Sequence, residues 1–314
     1  MDATDFPGID PRKAGCLLAA ADEGTLRGAA RRLELEASTI SRQIVSLETL
    51  LGSALIERGR SGVRLTEAGE LLVAWLRRQE GELEALRSDL DALRGMRRGR
   101  VSIAVGEGFV ADLLGTALKR FAAEHADITY TLQSGSSEEV MHAVTTDAAH
   151  IGLAYCPASD RRVRTLARVR QPLLMIAAAD SPFADVPAPL DPHTLATLPC
   201  AVLSHGSGIG TVLERVEARH GIRLRATVTT RSIPVLRHYA REGLGVTFLP
   251  RFVVVRELLD GQVVAREVDV PEFDEGAAHL VVRRGRRLPE VARILVEHLQ
   301  RHMIAFRGES LGEG

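Results

Sequence analysis

Ser38, Thr39, Ser41, Arg42 and Gln43 bring hydroxyls, a guanidinium and an amide into one short stretch. Interleaved with them, Ile40, Ile44, Leu47 and Leu51 recur at helical spacing, so the polar groups share the opposite face of one helix. Side chains of this kind reach base edges and phosphates when a helix lies in a major groove. Arg42 can pair bidentately with guanine or hold a phosphate. After Gly52, residues 57–66 read as a basic, glycine-containing hairpin with Arg58, Arg60 and Arg64, suited to backbone or minor-groove contacts. Thr25 is placed to cap a helix and is grouped with the DNA-facing set.

A second set of polar residues recurs at strand-to-helix turns. It comprises Glu107, Gly108 and Phe109; Ser134 and Ser136; Tyr155; Ser204, Gly206 and Ser207; and Thr230 and Arg231. In open α/β sheets, ligands sit beyond the carboxyl ends of strands, where helix N-termini present free N–H groups. Each turn alone needs glycines and hydroxyl caps for structural reasons. Their recurrence at one topological place points to a small-molecule site. Arg231 can bind a carboxylate or phosphate, whereas Glu107 disfavours one nearby. Ser204, His205 and Ser207 suggest a nucleophile and base, but no third orienting group is placed by spacing. No histidine spacing makes a metal site, so neither a catalytic set, a cofactor nor a metal is expected, and the chain is not expected to be an enzyme.

The elements that position these groups follow from periodicity. Helices are expected over residues 11–23, 25–33 and 37–51, with Ala29 and Ala30 where two of them cross closely, then the hairpin. Residues 66–93 form a long helix with Leu72, Leu76, Gln79, Leu83, Leu86, Leu90 and Leu93 at alternating steps of three and four, suited to pairing with a second copy. Gly81 is expected to bend or fray it. A basic, glycine-flanked hinge follows at 95–100. Beyond it, strand and helix alternate, which predicts mostly parallel sheets with covering helices. The expected division is 1–66 (winged helix-turn-helix), 67–99 (linker helix and hinge), 100–307 (a two-lobed α/β domain) and 308–314 (a tail). An arginine-rich crossing at 161–170 is expected to divide the lobes, with lobe I at about 100–160 and 266–307, and lobe II at about 161–265.

The chain resembles the LysR-type transcriptional regulators at Ala29-Ala30, Leu33, Ser41-Arg42-Gln43-Ile44, Leu47-Glu48, Leu51-Gly52, Leu55-Ile56, Arg58, Arg64-Leu65-Thr66 and Ala68-Gly69. So many positions in fixed order make a specific signal, looser toward the C-terminus. The resemblance implies an N-terminal all-α winged helix-turn-helix and a C-terminal domain with the fold of a periplasmic binding protein, its effector between the lobes. Ser41 and Arg42 match the family's DNA-contacting positions. Ser38 and Thr39 stand where proline or alanine is frequent, Ala37 where glutamine is frequent and Glu36 where a capping serine is frequent, so base preference should differ. The resemblance also implies a dimer through the linker helix, a tetramer, DNA bending at a dyad-symmetric double-stranded site and contact with RNA polymerase. The rival readings are an effector-independent architectural DNA-binding protein and an enzyme fused to a DNA-binding head.

Composition agrees with this. With 314 residues, 45% hydrophobic and 26% charged, the chain has room for two or three cores. Its net charge of −1 excludes a wholly basic nucleic-acid coat, but seven arginines against four glutamates between Arg27 and Arg64 leave that segment positive. Cys16, Cys156 and Cys200 form no CxxC pair, which suits a reducing cytosol. With no apolar signal core and no run of about eighteen apolar residues, no membrane partner and a cytoplasmic location are expected.

Overall fold

The computed structural model describes residues 9–59, 62–93, 98–186, 190–204 and 206–307. Arg60, the Arg58 side chain, His205, hinge residues 95–97 and the expected tail lie outside the described residues. The chain divides into two compact units, Met1–Leu83 and Glu84–Gly314.

The first unit holds α1 (Pro11–Glu23), α2 (Leu26–Leu33), α3 (Ala37–Leu51) and a hairpin of β1 (Ile56–Gly59) and β2 (Gly62–Leu65), followed by the start of α4 (Glu67–Leu93). Asp10 caps α1 through Arg12 N at 2.8 Å, and Thr25 caps α2 through Gly28 N at 3.0 Å. Ile40, Ile44 and Leu47 of α3 are fully buried against α1 and α2, each contributing roughly 1.5–3 kcal/mol of burial. The Glu48 carboxylate accepts from Leu55 N (2.8 Å) and Ile56 N (3.3 Å), which ties the end of α3 to the hairpin. Thr66 Oγ1 donates to Ala54 O at 2.6 Å and caps α4 through Gly69 N at 3.0 Å. A Cβ on Gly69 would stand 2.0 Å from Leu55 O, so only glycine lets α4 approach the hairpin base this closely.

Helix α4 runs continuously through Gly81, so the chain does not fray there. Its heptad leucines part company. Leu72 and Leu76 are buried in the first unit's own core, while Leu83, Leu86 and Leu90 are exposed. The Leu93 side chain lies outside the described residues; among those described, that second group, with Leu71 and Trp75 at matching steps, is exposed.

In the second unit come β3 (Gly99–Gly106), α5 (Val110–Asp112), a π-helical segment Leu113–Leu118, α6 (Lys119–Glu124), β4 (Ile128–Gly135), α7 (Ser137–Thr145), β5 (Ile151–Tyr155) and β6 (Val163–Arg170). The chain continues through β7 (Leu173–Ala178), α8 (Pro192–Thr197), β8 (Pro199–Leu203), α9 (Gly208–His220), β9 (Arg225–Thr230), α10 (Ile233–Arg241), β10 (Val246–Pro250) and α11 (Val255–Leu259). It ends with β11 (Val263–Arg266), α12 (Pro271–Asp274), β12 (Ala277–Arg283) and α13 (Glu290–His302). Two five-stranded sheets result, β4-β3-β5-β12-β6 and β11-β7-β10-β8-β9. Both are mixed: β3, β4 and β5 run parallel and so do β8, β9 and β10, while the remaining strands pair antiparallel.

The expected lobe boundary needs correction. Residues 161–170 are not a crossing. Val163–Arg170 is the edge strand of the first sheet, paired antiparallel with β12, and the chain leaves for the second sheet only between Arg170 and Leu173. The return also comes later than 265, because Val268 bridges to Leu190 and Phe273 packs on Phe248 before β12 begins. Asp112, buried behind the first lobe, accepts from Ile304 N (3.0 Å) and Ala305 N (2.8 Å) and so pins the C-terminus to that lobe. The last part of α4 is fastened to the same lobe: His150 Nε2 meets Glu84 at 2.9 Å, and Glu290 N donates to Ser88 Oγ at 3.0 Å. Burial pushes the Glu84 carboxyl up, but the His150 hydrogen bond and charge, with Arg286 and Arg100, outweigh it and hold it below its ordinary range.

Candidate functional site

On α3 the split between faces is clean. Ser38 and Arg42 are exposed, and Thr39, Ser41 and Gln43 are half-buried, opposite the buried Ile40, Ile44 and Leu47. Among the described residues the one side-chain hydrogen bond made by this polar set is Arg42 Nη2 to Thr39 Oγ1, at 3.3 Å. Glu36 stands at the N-cap without any side-chain capping bond, so the N-terminus of α3 keeps N–H groups free for an acceptor such as a phosphate. Arg64 is exposed on β2, opposite Glu57 in the register, and the hairpin docks on the preceding turn through Val63 N to Gly24 O at 2.8 Å. Thr25 is exposed but occupied as the α2 cap, a structural duty that limits it to a secondary contact.

The second unit encloses a cavity of about 330 Å³ between its two sheets. Of the residues singled out in the sequence, Glu107, Gly108, Phe109, Ser134, Ser136, Tyr155, Ser204, Ser207 and Arg231 line it. Gly206 does not; it faces a neighbouring cavity of about 430 Å³ that also touches Cys156 and His142. Thr230 does not either, because its hydroxyl accepts from Ser232 N at 3.1 Å within the turn. The wall adds Glu139 and an apolar side of Leu203, Ile209, Ile233, Phe252 and Val253, none of which turn composition identified. The rings of Phe252 and Phe109 lie 4.8 Å apart at an interplanar angle of 37°, so one side of the cavity is aromatic and contributed by both lobes.

Three helices start at this cavity: α7, α9 and α10. Ser136 caps α7 in a reciprocal pair with Glu139, whose carboxylate accepts from Ser136 N at 2.7 Å. That backbone bond, with Ser136 Oγ and Arg231, holds the Glu139 carboxyl below its ordinary range despite some burial. Ser207 caps α9 through Gly210 N at 2.9 Å. A Cβ on Gly208 would lie 1.7 Å from Tyr155 O, so glycine is what lets the start of α9 meet the end of β5. Ser232 makes no capping bond to α10. Glu107 from the other lobe does this instead, accepting from Ile233 N at 2.6 Å and from Ser232 Oγ at 3.3 Å. Arg231 meets Glu139 at 3.2 Å, a second link between lobes.

The cysteines take no part in this site. Burial pushes the Cys200 thiol up to about 12, with Glu217 adding to it, so it carries almost no thiolate at neutral pH. No described helix is long and apolar enough to cross a membrane.

Comparison with known proteins agrees with this division of labour. Residues 12–70 match the family described as bacterial regulatory helix-turn-helix protein, lysR family, and residues 94–304 match the LysR substrate binding domain. A RuBisCO operon transcriptional regulator of Allochromatium vinosum is 28% identical over 267 residues, spanning 84% of this chain and 86% of its own length. Full-length OxyR from Pseudomonas aeruginosa superposes with a TM-score of 0.70 at 19% identity, over 95% of this chain and all of that one. CbnR complexed with its target DNA superposes at 0.55 with 19% identity, over 92% of this chain and 98% of that one. At such identities the two structures speak for the fold. The family matches together span nearly the whole chain, and the protein belongs to the LysR family of transcriptional regulators, with a DNA-binding helix-turn-helix domain and an effector-binding domain.

Proposed function

We propose that α3 reads DNA through Ser38, Thr39, Ser41, Arg42 and Gln43, that Arg58, Arg60 and Arg64 of the hairpin engage the sugar–phosphate backbone, and that the interlobe cavity takes the effector. The observation that carries the DNA reading is the idle polar face of α3. Its apolar side is consumed by the core, while its polar side is spared nearly all structural duty. The effector reading is supported by an open, partly polar cavity at the ends of β3, β4, β5, β8 and β9; a sealed, apolar-filled cleft would have favoured an architectural protein. The exposed stripe Leu83, Leu86 and Leu90 supports pairing of two chains along α4, which would present two recognition helices to a dyad-symmetric site. Tetramer formation, polymerase contact and a cytoplasmic location belong to the same reading.

The test is selection of a binding sequence from a random double-stranded DNA pool by the full chain, followed by salt titration of the selected duplex. An enriched dyad-symmetric sequence, lost with Arg42→Ala, is expected. Arg64→Ala should lower the salt slope by about 1 while leaving sequence preference alone. No enrichment by folded protein would refute the reading of α3.

A further inference from the structure

Three helix N-termini around one cavity would ordinarily favour an anion. In this cleft, two of them already have a carboxylate of the protein's own. Glu139 accepts from the N–H of Ser136, the N-cap of α7, and Glu107 accepts from Ile233 N and Ser232 Oγ at the start of α10. Glu107 does so from the opposite lobe, reaching across the cavity that it lines. Arg231, the cation of the wall, is paired with Glu139. Among the described residues the charged groups of the lining are thus Glu107, Glu139 and Arg231, two carboxylates against one guanidinium. An incoming carboxylate would meet no unmatched cation among them, and at the start of α10 it would have to displace Glu107 while lying against the charge of that carboxylate.

We propose that Glu107 is a tethered anion filling the position where a carboxylate effector would sit, and that the effector of this cleft therefore carries no net negative charge. This rests on the reading of the cavity as the effector site. The apolar wall with Phe109 and Phe252 takes the body of such a molecule, and the Ser134, Ser136 and Ser204 hydroxyls take its neutral or protonated polar groups. Glu107 then sets specificity by charge exclusion. Because it bridges the lobes, it also holds the cleft at a width suited to a ligand that leaves the α10 N-terminus untouched.

The experiment screens the full chain by thermal shift and calorimetry against matched triplets of a carboxylic acid, its primary amide and its amine, beginning with benzoate, benzamide and benzylamine and extending through larger rings and chains. Wild type, Glu107→Ala and Glu107→Gln are compared, and Ser134→Trp, which fills the cavity, identifies binding at this site. The expected result is binding of amides or amines to wild type, lost in Ser134→Trp. Carboxylates should be at least tenfold weaker than their amides in wild type and gain at least tenfold in Glu107→Ala, with Glu107→Gln between. A carboxylate that binds wild type as tightly as its amide, is blocked by Ser134→Trp and is indifferent to Glu107→Ala would overturn the proposal while leaving the effector site standing. No compound blocked by Ser134→Trp in any folded form would overturn the effector reading, and the proposal with it.

Discussion

On α3, Ser38, Thr39, Ser41, Arg42 and Gln43 make one weak side-chain contact among the described residues, and the helix is held by the opposite face. In the cleft, polar side chains of the same types are bonded to the fold itself: Ser136 and Ser207 cap helices, Ser137 donates to Tyr155 O at 2.8 Å, and Glu107 and Arg231 join the lobes. The first arrangement separates recognition from stability. The second couples them, because a ligand can reach those groups only by sharing or replacing bonds that hold the lobes. A surface that must meet a rigid external duplex gains from uncommitted donors, while a surface that must change shape on binding gains from committed ones.

The largest effect tests the claim that the α3 helix stands on its apolar face alone. Ile44 is fully buried between α1 and α2, so Ile44→Ala should destabilise the first unit by about 2–5 kcal/mol in urea melts. Arg42→Ala should do the converse. Its stability should stay within about 0.5 kcal/mol of wild type, while affinity for the selected duplex falls by about 1–3 kcal/mol. If Arg42→Ala lowered stability and affinity in parallel, the separation claimed for this surface would be broken.

The apolar face of α3 was legible because Ile40, Ile44 and Leu47 obey one local period. The cleft turns were legible for a different reason: a strand that ends and a helix that begins share one small, hydroxyl-rich vocabulary, and nine of the eleven residues chosen that way do line the cavity. What escaped the reading is non-local. Glu139 and Phe252 lie within the first turn of a helical segment, where nothing local distinguishes a wall residue from a solvated or core one. The edge strand Val163–Arg170 escaped because its alternation is interrupted. Its register with β12 slips between Leu280 and Val281, where Ala167 and Thr165 are the successive partners and Leu166 is the extra residue. With arginines at 164, 168 and 170 on this edge, the segment looks like a solvated crossing until its partner, over a hundred residues away, is in place. The double use of α4, Leu72 and Leu76 inward and Leu83 to Leu90 outward, was hidden because one heptad pattern serves both.

A smaller effect distinguishes the units by pH. Burial, reinforced by Arg168, pushes the His279 imidazole on β12 down to about 4, whereas the unfolded side chain titrates near 6.5. Between those values the unfolded chain binds the proton and the folded one does not, so stability is full above about 6.5. It falls as the pH drops and levels off below about 4. Urea melts from pH 7 to pH 4.5 should show the second unit losing on the order of 1–2 kcal/mol through this group. His279→Gln should flatten that dependence, and an unchanged slope would show that the imidazole is protonated in the native state.

The smallest effect concerns Arg231, and it separates two kinds of link between lobes. Its ion pair with Glu139 is open to water, with side-chain exposures of 74% and 58%, so screening leaves it worth about 0–1 kcal/mol. Glu139 does not depend on it: the backbone bond from Ser136 is the main cause of its lowered pKa, and the capping pair survives without the arginine. Arg231→Ala should therefore shift the melt of the second unit by less than about 1 kcal/mol, and 0.5 M salt should bring wild type to the variant's value. The bond from Glu107 to Ile233 N is of another kind, since it satisfies the first turn of a helix that has no cap of its own. Were Arg231→Ala to cost more than about 1 kcal/mol at high salt, the pair would have to be desolvated, and the closing of the cleft would rest on both links rather than chiefly on Glu107.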